Sequence, residues 1–140
     1  MTAKEYLLQY KEAYREAQEI ELQITQLRLK YALTAPIQLS DMQKAHNTEH
    51  DLSDYAAKLD DLTRYLADKY SRCMTIEKDI LKRIDRMEDN VERQVLRYRY
   101  TNITEKGRLM SWEGVAEMVG YTRRMVTNIH GRALCHFPLD

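Results

Sequence analysis

The sequence is short of the two residues that most often make turns, because it has 4 glycines and 2 prolines among 140 residues. β-Sandwiches, β-barrels and doubly wound sheets need many tight turns and use these residues far more often. Their scarcity argues against such folds and favours an all-α protein of a few long helices. Disorder is not expected, because 44% of the residues are hydrophobic and can form a core.

Long apolar runs are also missing. The longest stretch without Asp, Glu, Lys or Arg runs from Tyr31 to Ser40, well below the roughly 20 residues that a membrane-spanning helix needs. The first residues are charged and have no apolar core, so we expect no signal peptide and no membrane contact. Cys73 and Cys135 have no spacing typical of a disulfide framework. We therefore expect reduced cysteines and a cytoplasmic protein.

The net charge of zero hides an uneven distribution. Residues 1–90 carry a net charge of −3, whereas residues 91–140 carry +3. All but one of the eight basic residues in the second part are arginines, which bind phosphates and base edges better than lysines do. The asymmetry suggests that the C-terminal part meets an anionic partner.

Residues 2–33 have the pattern of a long helix. Thr2 and Glu5 have the spacing of a capping box, which marks a helix start. Apolar residues then recur in alternating steps of three and four, which is a heptad seam. Other apolar residues lie beside this seam and widen it, so that it can contact more than one partner; they are Leu7, Leu8, Tyr14, Leu22 and Leu29. The seam consists of Ala3, Tyr6, Tyr10, Ala13, Ala17, Ile20, Ile24, Leu27 and Tyr31.

A second heptad pattern runs from about Leu52 to Asn90. The stretch from Thr34 to about Glu49 separates it from the first and has no clear period, so we interpret it as a loop or hinge. Because neither long helix can bury its seam alone, we predict that residues 1–90 form an antiparallel helical hairpin, or coiled coil. This hairpin would serve dimerisation or partner binding. The second seam includes Leu52, Tyr55, Leu59, Leu62, Leu66, Lys69, Cys73, Ile76, Ile80, Ile84, Met87 and Val91.

Residues 91–140 fit a helix-turn-helix domain. Ser111 can cap a short helix that ends at Val119, Gly120 can take the left-handed turn, and Thr122 can cap a second helix that ends near Phe137. A helix-turn-helix also needs a small residue at the crossing, a branched plug in the second helix and apolar flanks. An ordinary helical hairpin inside a bundle is the alternative. The required positions are filled by Ala116, Val126, Val115, Val119 and Ile129.

The second helix of this pair has an apolar side and a polar side that do not overlap at 100° per residue. The polar side offers guanidinium groups for guanine or phosphate, an amide for adenine, and a hydroxyl. Lys106 and Arg108 precede the pair and are better placed for phosphate contacts. A merely solvated polar face is the alternative. The predicted DNA-binding residues are Thr122, Arg123, Arg124, Thr127, Asn128, Gly131, Lys106 and Arg108.

The segment LRYRY and the later SWEGVAEMVGYTRRMVTNIHGRAL resemble the promoter-reading C-terminal region of bacterial sigma factors. The whole chain resembles small phage and prophage regulators of the sigma-like late-gene class (the RinA and ArpU type). This resemblance implies a transcription regulator in the cytoplasm of a bacterial host. Its partners would be double-stranded DNA and host RNA polymerase, and we expect a homodimer.

Two other function classes stay open. A phage terminase small subunit also joins a helix-turn-helix to a coiled-coil segment, and a pure protein-interaction module could use the basic face to bind an acidic protein. We expect no enzyme, cofactor or metal site. His46 and His50 are four residues apart but lack a third ligand, and Cys135-His136 lacks an orienting acid and an oxyanion loop.

Overall fold

The computed structural model describes the backbone of residues 1–34 and 44–140, and the side chains of residues 1–33 and 52–140. Within this part the chain is all-helical and has no strand. The helices are α1 (Ala3–Thr34), α2 (Lys44–Asp85), α3 (Asn90–Thr101), α4 (Trp112–Val119) and α5 (Arg123–His136).

The predicted capping box starts α1. The Thr2 hydroxyl accepts a hydrogen bond from the Glu5 amide at 3.2 Å, and the Glu5 carboxylate accepts one from the Thr2 amide at 2.8 Å. These two bonds pair amide groups that a helix end otherwise leaves without a partner.

The chain divides into two compact units. Unit 1 comprises Met1–Arg15 and Ser71–Asp140, and unit 2 comprises Glu16–Tyr70. The first fifteen residues thus pack together with the C-terminal helices, whereas the sequence patterns suggested a functional division at residue 90. That functional division stays a prediction.

The core of unit 1 has two clusters. The first joins the start of α1 and the end of α2 to α3 and α5, and Leu7, Ile80, Ile84 and Leu96 in it have no exposed surface. The second lies among α3, α4 and α5. Its buried members are Val95, Val115, Ala116, Val126 and Ile129.

In unit 2, one face of α1 is directed toward α2. Ala17, Ile20 and Ile24 are buried there. Lys69 Nζ lies 3.1 Å from a carboxylate oxygen of Glu16. The rings of Tyr31 and Tyr55 stack with their centroids 4.0 Å apart.

The second helix differs from its predicted bounds at both ends, because α2 begins at Lys44 and ends at Asp85. Part of the predicted hinge is therefore helical, and the remainder, with the side chains of His46 and His50, lies outside the described residues. A separate helix, α3, begins at Asn90 and has its own cap. The Asp89 carboxylate accepts hydrogen bonds from the amides of Val91 and Glu92 and so caps α3.

No helix in the described residues has both the length and the apolar content that crossing a lipid bilayer requires.

Candidate nucleic-acid interface

The bounds of α4 agree with those predicted from the sequence. Ser111 Oγ accepts a hydrogen bond from the Gly114 amide at 3.0 Å and caps the helix. The helix ends at Val119, and Gly120 follows with φ +84° and ψ +24°. The Gly120 amide donates to the Ala116 carbonyl at 2.9 Å. Glycine takes this left-handed conformation without steric cost, so the residue type at position 120 favours this turn.

Two residues after Gly120, Thr122 caps α5. Its hydroxyl accepts a hydrogen bond from the Met125 amide at 3.2 Å. The turn between α4 and α5 therefore has three residues, Gly120 to Thr122. A turn this short brings the start of α5 close to α4.

Opposite sides of α5 have different surroundings. Val126, Ile129 and Ala133 are buried on one side, and Val126 and Ile129 pack with Val115 and Ala116 of α4. The outward side is open to solvent. Six predicted residues are all exposed, namely Arg123, Arg124, Thr127, Asn128 and Gly131 of α5 and its cap, Thr122.

The two arginines at the start of α5 differ in their contacts. Arg123 Nη1 lies 2.7 Å from Oε1 of Glu113, an exposed residue of α4. Arg124 is also exposed, and it forms no ion pair with any residue whose side chain the structure describes. The start of α5 thus carries one cation held by a carboxylate and one open to an incoming anion.

Gly131 and Thr127 shape the middle of the outward side. A methyl group at Gly131 would meet no atom within 4 Å, so nothing inside the protein requires glycine there. Thr127 Oγ1 donates to the Arg124 carbonyl at 2.9 Å. The hydroxyl oxygen keeps lone pairs that can accept from another group.

Lys106 and Arg108 lie on the loop that joins α3 to α4, and so belong to a different element from the outward side of α5. Both side chains are exposed. The loop is held by its own backbone, because the Gly107 amide donates to the Thr104 carbonyl and the Thr104 amide donates to the Arg108 carbonyl, each at 2.8 Å. Gly107 is buried with φ +73°. The two cations therefore project from an ordered turn.

Two arginines of α3, Arg93 and Arg97, are paired with groups of the protein itself. Arg93 donates to the backbone carbonyls of Met87 and Glu88, and Arg97 binds Asp85 at 3.0 Å. Their charge contributes to the +3 of residues 91–140, but the groups themselves join α3 to the last residue of α2 and to the link that follows it. The charge count of the sequence therefore overstates the cations that face outward.

His130 of α5 contacts a cluster of aromatic and basic side chains from α3 and α4. His130 Nε2 is 2.7 Å from the Tyr100 hydroxyl, and its ring meets Trp112 edge-on at 4.7 Å. The Arg99 guanidinium lies over the Trp112 ring at 4.1 Å. Burial, together with the charges of Arg99 and Lys4, lowers the pKa of His130 to about 4. Burial raises the pKa of Tyr100 to about 12, so at neutral pH both groups are uncharged and share one hydrogen bond, whose direction is set by the tautomer of the imidazole.

The residues considered for nucleophilic catalysis do not form a catalytic arrangement. Cys135 is exposed. His136 Nδ1 contacts both carboxylate oxygens of Glu92, at 2.9 and 3.1 Å. An acid therefore accompanies this histidine, which the sequence did not reveal. Adjacent residues on a helix point in different directions, so Cys135 and His136 do not share a face.

Two residues relevant to this surface were absent from the sequence-based prediction. Glu113, the partner of Arg123, lies ten positions away on another helix, and no local pattern links them. Arg132 is exposed and follows Asn128 by one turn of α5. The helical spacing alone could have identified Arg132 as an extension of the basic surface.

The comparisons with known proteins give no relative, because no protein-family model, curated protein or solved structure matches the chain.

Proposed function

We propose that this protein is a sequence-specific regulator that binds double-stranded DNA through a helix-turn-helix made of α4 and α5. Its class would be the sigma-like late-gene regulators of phages and prophages. One observation carries the proposal: α5 buries one side against α4 and leaves Arg123, Arg124, Thr127 and Asn128 exposed on the other. A recognition helix needs this division of faces.

The exposed groups suit the major groove of DNA. Arginine forms two parallel hydrogen bonds with guanine, and asparagine can do so with adenine. The amino-terminal turn of α5 adds a partial positive charge, and its first residues are those that a recognition helix directs to base edges. Lys106 and Arg108 would bind phosphates, which position a protein on DNA without reading the sequence.

The remainder of the chain would join two copies or contact RNA polymerase. The contacts between α1 and α2 in unit 2 support an antiparallel hairpin, since Glu16 meets Lys69 and the later Tyr31 meets the earlier Tyr55. A single reading domain with a net charge of +3, part of it used internally, would bind DNA weakly through charge alone. A second copy or a polymerase contact would therefore supply further affinity.

Selection of bound sequences from random duplex DNA by the full-length protein tests the proposal. We expect a shared sequence to emerge and to bind more tightly than a scrambled duplex of equal length. Failure to enrich any sequence, with no salt-dependent binding to random duplex, would contradict it.

The solution mass separates a regulator from a terminase small subunit. A dimer fits a regulator, whereas a ring of eight or more subunits would favour the terminase small subunit. Binding to an acidic protein in the absence of any DNA binding would favour an interaction module.

A further inference from the structure

The part of α1 that belongs to unit 2 has two apolar sides, and the hairpin covers only one. Ile20 and Ile24 lie on the covered side and are buried. Leu22, Leu29 and Leu33 are 57%, 58% and 66% exposed. At 100° per residue these three leucines fall within about 40° of each other and about half a turn from Ile24.

The heptad seam predicted for α1 is therefore occupied within one chain. Ile20 and Ile24 are no longer available to a second chain, so a dimer built on that seam would require the hairpin to open. The stripe of Leu22, Leu29 and Leu33, called here the outer leucine stripe, is open. Single exposed leucines are common, but three on one side of a helix form an apolar stripe, which Thr25 and Gln26 interrupt between Leu22 and Leu29.

We propose that the outer leucine stripe pairs with the same stripe of a second copy, with the two α1 helices antiparallel. The charges beside the stripe favour this occupant and this orientation. Glu21 and Arg28 are exposed and lie on the same flank of the stripe. In a two-fold antiparallel pair centred between Leu22 and Leu29, Glu21 of each copy lies next to Arg28 of the other.

A parallel pair would not use these charges. In a parallel pair, equal positions lie at the same height along the two helices. Glu21 of one copy would then lie level with Glu21 of the other, and Arg28 would lie level with Arg28. The antiparallel arrangement forms the same ion pair twice, as a two-fold interface requires.

The interface is small, because it rests on three leucines from each copy, whereas a typical stable interface covers about 800 Å² on each partner. We therefore expect a dimer that forms in the micromolar range and dissociates on dilution. The proposal does not rest on DNA binding. It concerns a surface of unit 2, and it is measured without DNA.

Sedimentation equilibrium of the full-length protein over a concentration series tests the proposal. We expect the mass to rise from one to two copies. Leu29→Asp should raise the dissociation constant about tenfold or more, because each interface would bury two carboxylates. Its helical circular dichroism and Trp112 fluorescence should stay unchanged, because Leu29 is exposed in the monomer.

Met74→Asp is the matched control, because Met74 is 67% exposed on α2 in unit 1. It should leave the dimer intact. A parent protein that stays monomeric, or a dimer that Leu29→Asp does not weaken, would overturn the proposal. So would a dimer that Met74→Asp weakens as much as Leu29→Asp does.

A charge exchange tests the orientation and does not depend on the leucines. Glu21→Arg alone should weaken the dimer, because it brings two arginines together twice. Adding Arg28→Glu should restore the dimer, since the ion pairs form again with the signs exchanged. Failure of the double variant to recover would overturn the antiparallel arrangement.

Discussion

At the scale of single residues, Gly120 determines the turn between α4 and α5. Its φ of +84° strains any β-branched residue. We expect Gly120→Val to lower the unfolding free energy of unit 1 by about 1–3 kcal/mol. Because a methyl group at Gly120 would meet no atom within 4 Å, this loss would come from backbone strain rather than a clash. Chemical unfolding followed by the fluorescence of Trp112, the one tryptophan, measures it, and equal stability would contradict this role.

Gly131 makes the opposite prediction on the same helix. Alanine at this position has open space and a higher helix propensity, so Gly131→Ala should stabilise the protein by about 0.5–1 kcal/mol. If DNA lies against the outward side of α5, the added methyl group should also weaken binding to the selected duplex. Unchanged binding in the stabilised variant would show that DNA does not approach the backbone at Gly131.

The ion pair of Glu113 with Arg123 makes a third prediction. Glu113→Gln removes a negative charge and releases a guanidinium that lies 2.7 Å from the carboxylate. We expect tighter binding to random duplex, with a salt dependence steeper by about one phosphate contact. We also expect less discrimination between the selected and scrambled duplexes, because Arg123 is no longer held in one position.

Glu117→Gln provides the control for this variant. Glu117 is exposed on α4 and forms no ion pair with a residue whose side chain is described. Its loss removes the same charge but leaves Arg123 in place. If both variants reduced discrimination equally, net charge and not the positioning of Arg123 would be the cause.

At the scale of elements, His130 links α5 to α3 in a pH-dependent way. Its pKa in the folded protein is about 4, below the ordinary value of 6.5, so the unfolded chain binds a proton first as the pH falls. This contribution to stability is present above about pH 6.5 and is lost between about pH 6.5 and 4. Urea unfolding at several pH values should show a steeper decline for the parent than for His130→Gln. Parallel declines would contradict the assignment.

The helix ends that the sequence predicted well are those with local caps. Ser111 and Thr122 accept hydrogen bonds from nearby amides and Gly120 takes the left-handed conformation, so their residue types suffice to place α4 and the start of α5. The end of α2 was predicted too late, because Met87 and Val91 continue the apolar pattern across a break. The spacing of Asp89 and Glu92 is a capping signal that would have indicated this break.

For the candidate surface, the exposed residues were predictable from the sequence, but their contacts with other helices were not. Helical spacing alone separated the buried Val126 and Ile129 from the exposed residues on the other side of α5. Contacts between elements were not predictable, because they depend on how the helices pack. Examples are the pairing of Arg123 with Glu113 and the use of Arg93 in fastening α3.

At the scale of the whole molecule, the proposals made above give the chain three surfaces with different tasks. We assign the seam between α1 and α2 to folding of the single chain, the outer leucine stripe to pairing of two copies, and the outward side of α5 to DNA. Two-fold pairing would present two recognition helices, which predicts a binding site with two related half-sites.

One measurement tests the central claim most directly. It is the ratio of affinities for the selected and scrambled duplexes, determined for Arg124→Ala and Lys106→Ala across a salt series. Arg124 is exposed on the outward side of α5, so its loss should reduce the ratio about tenfold or more. Lys106→Ala should weaken binding to both duplexes alike and flatten the salt dependence by about one phosphate contact. If Arg124→Ala keeps the parent ratio, the outward side of α5 does not read DNA, and the account is wrong.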